Sequence, residues 1–170
     1  MSSLRILGID PGSRRTGYAL AEFRGGEIVA LELGSWSLPA RGRRSAALAR
    51  LLGEVEAWLA DRHPDVAAVE GLFQHRNVRS ALALAEARGV VLAALGRAGI
   101  DVVEYAPAAI KKCVCGNGTA PKDQVRRALA RTVPGLSRFP LADYPEDATD
   151  ALAAAVCHRA HASFEGASVR

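Results

Sequence analysis

The sequence lacks the features that would set this 170-residue chain apart from ordinary globular proteins. No apolar run approaches the ~20 residues needed to cross a bilayer. The first apolar run includes Asp10, unlike the charged-then-apolar layout of a secretory signal. Internal repeats, low-complexity tracts and a second domain are also missing. We therefore expect a cytoplasmic protein without membrane contact, with one domain over residues 1–163 and a short polar tail over residues 164–170.

Cysteine is scarce. The chain has three, Cys113, Cys115 and Cys157, and an odd number without framework spacing indicates reduced thiols. Cys113 and Cys115 are one residue apart, unlike the Cys-x-x-Cys pattern of zinc and redox sites. His158 and His161 share a predicted helix face, but no Cys or Glu at ligand spacing supports a metal there. We expect buried, unreactive thiols.

The chain has the apolar content of an ordinary globular protein and more basic than acidic residues. Apolar residues make up 49% of the chain and charged residues 24%, which suffices for a single hydrophobic core. The net charge is +4, and the pI is about 9.3. This balance favours an acidic partner such as nucleic acid, although many basic proteins bind none.

Hydrophobic patterning predicts an α/β fold with five strands and five helices. Three strands with short turns, the second turn at Gly25-Gly26, open the chain as an antiparallel meander. Two later strands alternate with helices, which predicts a mixed sheet with helices on both faces. The predicted strands are Leu4–Asp10, Gly17–Phe23, Glu27–Trp36, Val66–Glu70 and Asp101–Tyr105. The predicted helices are Ser45–Asp61, capped by Ser45, then Val78–Arg97, Pro107–Lys112, Lys122–Arg131 and Glu146–His161.

Two predicted strands end in an acid. Asp10 and Glu70 follow buried runs, and a buried carboxylate without a partner costs several kcal/mol or becomes protonated. A helix N-terminus, a basic side chain or a divalent cation could each offset that cost. Asp147 and Asp150 lie three residues apart on one face of the last helix. Acids there also stabilise a helix through its dipole, which is the alternative explanation.

If the two strands are neighbours, all four carboxylates can converge at one edge of the sheet. Their mutual repulsion then requires compensation, which two divalent cations provide. Carboxylate oxygens suit Mg²⁺ or Mn²⁺. Two such ions activate water and stabilise the leaving oxygen of a phosphodiester, while surrounding Lys and Arg hold the backbone phosphates.

Four motifs in this order resemble the RuvC Holliday-junction resolvases of the ribonuclease H-like superfamily, over most of the chain. They are Leu7-Gly8-Ile9-Asp10-Pro11-Gly12-Ser13 with Thr16-Gly17-Tyr18, Val69-Glu70-Gly71-Leu72-Phe73, Ala85-Glu86-Ala87-Arg88-Gly89, and Asp147-Ala148-Thr149-Asp150-Ala151-Leu152-Ala153. The resemblance implies a ribonuclease H-like nuclease domain. It also implies a homodimer that makes symmetric nicks in a four-way DNA junction, with a preference centred on a TT step, and that works with the RuvA–RuvB branch-migration complex.

The resemblance also assigns roles to residues. Asp10, Glu70, Asp147 and Asp150 match the catalytic, metal-binding acids of the family, and some relatives have His at the position of Asp147. Phe73 matches an aromatic residue that stacks on an unpaired base. Lys111 and Lys122 match lysines near the scissile phosphate, whereas from the residues alone Phe73 could be a core residue and the lysines solvated.

Five further basic residues are candidates for DNA binding from their positions alone, and each could instead be solvated. They are Arg14, Arg76, Arg79, Lys112 and Arg126. Polar and basic side chains at positions 74–76 make the Phe73 loop differ from some relatives, so the cleavage preference stays open.

Other functions are compatible with parts of this pattern. Sugar kinases and actin-like ATPases share a Gly-Ile-Asp-x-Gly phosphate loop, but they need two domains of this kind to hold ATP. A junction-binding module that does not cut fits the charge and Phe73, but leaves the four acids unexplained. A related nuclease that acts on another nucleic acid, such as an RNA intermediate, is the nearest enzymatic alternative.

Overall fold

The computed structural model describes residues 3–39, 42–71 and 77–167. It confirms a mixed sheet of five strands in the order β3-β2-β1-β4-β5. Each strand covers or extends its predicted range. The strands are β1 (Leu4–Asp10), β2 (Arg15–Arg24), β3 (Glu27–Ser37), β4 (Val66–Glu70) and β5 (Asp101–Tyr105).

Strand direction places the two strand-terminal acids side by side. β1, β2 and β3 form the predicted antiparallel meander, and Gly25 and Gly26 both adopt the positive φ angles of its second turn. β4 pairs in parallel with β1, with Ile9 opposite Val69. Parallel strands end at the same edge of a sheet. Asp10 and Glu70 therefore lie side by side at this edge, one at the end of each strand.

The five predicted helices are present within the described residues. They are α1 (Arg44–Arg62), α2 (Val78–Arg97), α3 (Pro107–Cys115), α4 (Lys122–Thr132) and α5 (Glu146–Ala167), and two 3-10 turns, Leu136–Arg138 and Leu141–Asp143, precede α5. None of these helices has the length and apolar composition to cross a membrane.

Three helices differ from prediction at one end. α3 continues to Cys115, beyond its predicted end at Lys112, and Gly116 is its C-cap. Ser45 lies inside α1, because Arg43 occupies the N-cap position and makes no side-chain capping bond, so the prediction of a Ser45 cap was wrong. α5 continues to Ala167, beyond residue 163, where we expected the polar tail to begin. The alanine-rich composition of α5 suits an extended helix, since alanine has the highest helix propensity.

Helices cover both faces of the sheet, and each face has its own core. α1 and α2 pack on one face, where Tyr18, Trp36 and Trp58 form an aromatic cluster with ring centroids 4.4 to 5.7 Å apart. α3, α4 and α5 cover the other face, which contains Ile6, Ala19 and Ala68. Side chains alternate between faces along a strand, so Asp10 projects to the same side as Gly8, toward α5.

α5 approaches the sheet closely because two strand positions lack a side chain. A Cβ atom on Gly8 would lie 1.9 Å from the carbonyl oxygen of Ala151, and one on Gly17 would lie 2.1 Å from that of Asp147. Gly17 is also the residue paired with Asp10 across β1 and β2. These two glycines therefore allow the acidic first turns of α5 to rest against the strand that carries Asp10.

We predict that Gly17→Ala lowers the free energy of unfolding by about 1–3 kcal/mol, because the added methyl group displaces α5. Gly53→Ala is the matched control. Gly53 lies inside α1 with nothing within 4 Å of an added Cβ, and should gain about 0.5–1 kcal/mol from helix propensity. Urea denaturation measures both changes. Equal stability of the Gly17→Ala variant and the wild type would contradict the close-packing explanation.

Candidate active site

Asp10 and Glu70 are the last residues of β1 and β4, as the sequence indicated. The rigid hydrogen-bonded strands before them hold both carboxylates at one edge of the sheet. Both side chains are only partly exposed. The prediction that an acid ends each of two core strands is confirmed, and the condition that these strands are neighbours is met.

α5 brings the second pair of acids to this edge. The Asp150 side chain is only 18% exposed, so it is largely withdrawn from solvent. Asp147 lies one helical turn earlier and is close enough to act on the pKa of Asp10. The close packing of α5 on Gly8 and Gly17 thus assembles acids from three separate segments of the chain.

These acids surround a cavity of about 130 Å³. Three of the four predicted acids line it, whereas Asp147 stands outside the lining. Two lysines and four apolar residues complete the wall. The lining residues are Asp10, Glu70, Asp150, Lys111, Lys122, Pro107, Ile110, Val125 and Ala153.

The crowding of negative charge contributes to raised pKa values of the two strand-end acids. Burial, followed by repulsion from Glu70 and Asp150, raises the pKa of Asp10 from 3.8 to about 8. Burial and repulsion from Asp150 also raise the pKa of Glu70, and attraction to Lys122 and Lys111 opposes that shift. The two lysines nearby are therefore not enough to keep both strand-end acids ionised at neutral pH.

Lys122 connects the start of α4 to the start of α5. Its Nζ atom donates to Asp150 at 2.7 Å and lies 2.8 Å from a carboxylate oxygen of Glu146. Burial disfavours the charge of Lys122, but the hydrogen bonds and attraction from these two acids outweigh it and raise its pKa. Sequence reasoning missed Glu146, because nothing in the sequence links a first-turn acid of one helix to a lysine in another.

Four of the other basic candidates lie in the described part of the chain, and none of them lines this cavity. Arg14, Arg79 and Lys112 are exposed. The Arg126 guanidinium donates to the backbone carbonyls of Leu141, at 2.7 Å, and Tyr144, at 3.4 Å, and so supports the segment that leads into α5.

Phe73 and Arg76 lie outside the described residues. Their predicted roles in base stacking and phosphate binding therefore stay predictions.

The donor set fits hard divalent cations. Every acidic group at this edge offers carboxylate oxygens, which Mg²⁺ and Mn²⁺ prefer over nitrogen and sulfur. The raised pKa of Asp10 points the same way, because a cation beside it would favour its ionised form. Asp10, Glu70, Asp147 and Asp150 are the residues that would hold such ions.

We predict that, in EDTA, the contribution of Asp10 to the free energy of unfolding falls as pH rises from 3.8 toward 8. In that window the folded protein holds a proton on Asp10 that the unfolded chain releases. Asp10→Asn should therefore be more stable than the wild type near pH 8, by about 1–3 kcal/mol, and the gain should vanish at acidic pH.

Urea denaturation at several pH values, with EDTA and then with Mg²⁺, measures this difference. The control is Asp61→Asn, because the Asp61 side chain is 78% exposed on α1 and should show no such gain. Equal stability of Asp10→Asn and the wild type at every pH would contradict the buried-charge explanation.

Known proteins were compared with the chain in sequence and in structure. The sequence profile of the family described as "Crossover junction endodeoxyribonuclease RuvC" matches residues 6–158. A protein of that name from Desulfitobacterium hafniense is 40% identical over 153 residues, covering 90% of each chain. Another from Chloroflexus aurantiacus is 42% identical over 155 residues, covering 91% of this chain and 92% of the relative.

Solved structures agree with the sequence comparison. The structure "T. thermophilus RuvC in complex with Holliday junction substrate" superposes with a TM-score of 0.84 and 28% identity, covering 95% of this chain and 96% of that one. The yeast mitochondrial resolvase Ydc2, at 14% identity and a TM-score of 0.65, shares the fold. The profile match spans nearly the whole described domain and all four acids. The chain belongs to the RuvC family of crossover junction endodeoxyribonucleases.

Proposed function

We propose that this chain is a metal-dependent endonuclease that resolves four-way DNA junctions in recombination and repair. The observation that carries the proposal is the convergence of Asp10, Glu70 and Asp150 on one cavity with Lys111 and Lys122, in a member of the RuvC family. The net charge of +4 favours DNA as the partner.

We also propose how the four acids bind metal ions and what those ions do. Asp10, Glu70, Asp147 and Asp150 would bind Mg²⁺ or Mn²⁺, and the central position of Asp10 in the cluster makes it the ligand that two ions would share. When bound, these cations supply the Lewis acidity that activates water and stabilises the leaving oxygen of the phosphodiester.

The roles of the chain's own residues follow from what positions them. Asp10 and Glu70 stay fixed because each ends a strand inside the sheet. Lys111 and Lys122 offer positive charge where the scissile phosphate would approach, against the repulsion of the acids. The apolar wall of Ile110 and Val125 limits the water around the reacting phosphate.

DNA contacts outside the cavity are proposed from position and charge. Arg14 follows the turn after Asp10, and Arg79 opens α2, just after the segment that contains Phe73 and Arg76. We assign phosphate binding to Arg14, Arg76, Arg79 and Lys112, and base stacking, worth about 1–3 kcal/mol, to Phe73. Arg126, whose guanidinium donates to backbone carbonyls, is left with a structural role.

A homodimer is proposed because symmetric nicking needs two active sites. Two apolar residues near the start of α2 support it. Val78 is 72% exposed and Leu82 is 61% exposed, and their spacing of four residues places them on one face of α2. This face would meet its copy in a second chain. Association with the RuvA–RuvB complex is proposed from the family alone.

We predict that Asp10→Asn and Glu70→Gln still bind a synthetic four-way junction but cut it at least about a thousandfold more slowly, because metal ligation is lost. The assay uses a mobile junction with end-labelled strands and Mg²⁺ or Mn²⁺, with a linear duplex of the same sequence as the substrate control. Product ends and nick positions test whether paired, symmetric cuts are made.

Glu54→Gln is the matched protein control for this assay. Glu54 pairs with Arg50 on the surface of α1, so its loss should leave cleavage unchanged. Full cleavage by both Asp10→Asn and Glu70→Gln would refute the metal mechanism. Junction binding by the wild type without cleavage in any divalent cation would instead identify a non-cutting junction-binding module.

We predict that Leu82→Glu converts a dimeric wild type into a monomer. The variant should then make single, uncoordinated nicks in place of paired ones. Light scattering coupled to size exclusion measures the mass. Ala60→Glu, an equivalent change at an exposed position of α1, should leave the dimer intact. A monomeric wild type, or a Leu82→Glu variant of unchanged mass, would refute the α2 interface.

A further inference from the structure

A second cluster of potential metal ligands lies between α3 and α5, apart from the acids of the cavity. It consists of Cys113 on α3 and Cys157 and His161 on α5. One donor atom from each residue lies within 4.8 Å of the other two. Within the described residues, no other group of three Cys, His, Asp or Glu side chains meets this distance.

One prediction about these residues was wrong, and another was wrong for Cys113 but confirmed for Cys157. All three cysteines are free, as predicted. We expected no cysteine at ligand spacing from His161, but Cys157 lies one helical turn before it, and Cys113 comes from a different helix. We also expected buried thiols, yet Cys113 is exposed, whereas Cys157 is buried and Cys115 is intermediate. The packing of α3 on α5 creates the group, and no local sequence pattern reports that packing.

One distance inside the cluster matches that between two ligands of a tetrahedral ion. The Nδ1 atom of His161 lies 3.7 Å from the Cys157 Sγ atom. Zn–S and Zn–N bonds of ordinary length place S and N ligands of a tetrahedral zinc ~3.6 Å apart. The cluster therefore has this separation without rearrangement of the α5 backbone.

The surroundings of the three side chains are compatible with ligation. His161 Nδ1 is also 2.8 Å from the carbonyl oxygen of Cys157. That oxygen keeps a partner if the imidazole turns to a metal, because the backbone N–H of residue 161 donates to it in the helix. A hydrogen bond from Cys157 lowers the pKa of Cys113 to about 6, whereas the same hydrogen bond and burial raise the pKa of Cys157. Thiolate is the form of cysteine that binds metals, so metal binding would have to displace the proton of Cys157.

We propose that Cys113, Cys157 and His161 form a zinc site that joins α3 to α5, with water in the fourth position. Two sulfurs and one imidazole favour Zn²⁺ over the hard cations that suit the carboxylate cavity. Cys113 and His161 reach solvent, so the ion can enter from the surface. Since α3 carries Lys111 and α5 carries Asp150, a bound zinc would hold two walls of the active-site cavity against each other.

The experiment uses the full chain in the Asp10→Asn background, which weakens metal binding by the acids. Titration with Co²⁺ should produce thiolate-to-cobalt charge-transfer absorption that saturates near one equivalent and is abolished by excess Zn²⁺. Carboxylates cannot produce this band, so it distinguishes the cluster from the cavity. Zinc should also raise the Tm, by about 5–10 °C when free zinc exceeds its Kd a hundredfold.

Variants identify the ligands. Cys113→Ser and His161→Ala change exposed positions and should weaken or remove the cobalt band and the Tm shift, whereas Cys115→Ser, two residues further along α3, should keep both. Absence of the band in the Asp10→Asn protein, or a band of unchanged intensity in Cys113→Ser, would overturn the proposal. So would a protein that, purified without reductant, contains no zinc and has lost two thiols with a mass lower by two hydrogens, since that pair forms a disulfide.

Discussion

The arrangement of the site depends on the close approach of α5 to β1 and β2. Gly8 and Gly17 leave no room for a side chain between the strands and the backbone of α5. This packing holds Asp147 and Asp150 beside Asp10 against electrostatic repulsion. The buried alanines of α5 and its apolar contacts with the sheet offset that repulsion. The repulsion that remains contributes to the raised pKa of Asp10.

The same electrostatic conflict connects stability to function. Carboxylates that would be more stable apart are kept together because cations and a phosphodiester need them together. Lys122 relieves part of the conflict through Asp150 and Glu146, and it lies where a DNA phosphate would also require positive charge. Membership of the RuvC family and the shared fold of the Thermus thermophilus resolvase fit this arrangement.

A second inter-helix cluster extends this view to the C-terminal half of α5. Asp150 stands near the start of the helix, whereas Cys157 and His161 lie two to three turns later, where α3 packs against it. Hard oxygen ligands at one end and sulfur and imidazole ligands at the other would select different metals. One helix would thus take part in catalysis and, through a separate ion, in holding the wall that carries Lys111.

Local sequence determined much of this protein. Short apolar runs specified the strands, and Gly25 and Gly26 specified a hairpin. The abrupt ends of two of these runs identified Asp10 and Glu70. All of these signals act over a few neighbouring residues. The four acids could converge only if the strands of Asp10 and Glu70 were neighbours. The parallel pairing of β1 with β4 meets this condition. Only tertiary packing revealed the link from Lys122 to Glu146, the structural bonds of Arg126 and the meeting of Cys113 with Cys157 and His161. Each joins residues from different elements, and the geometry between elements is set by the whole core rather than by any one segment.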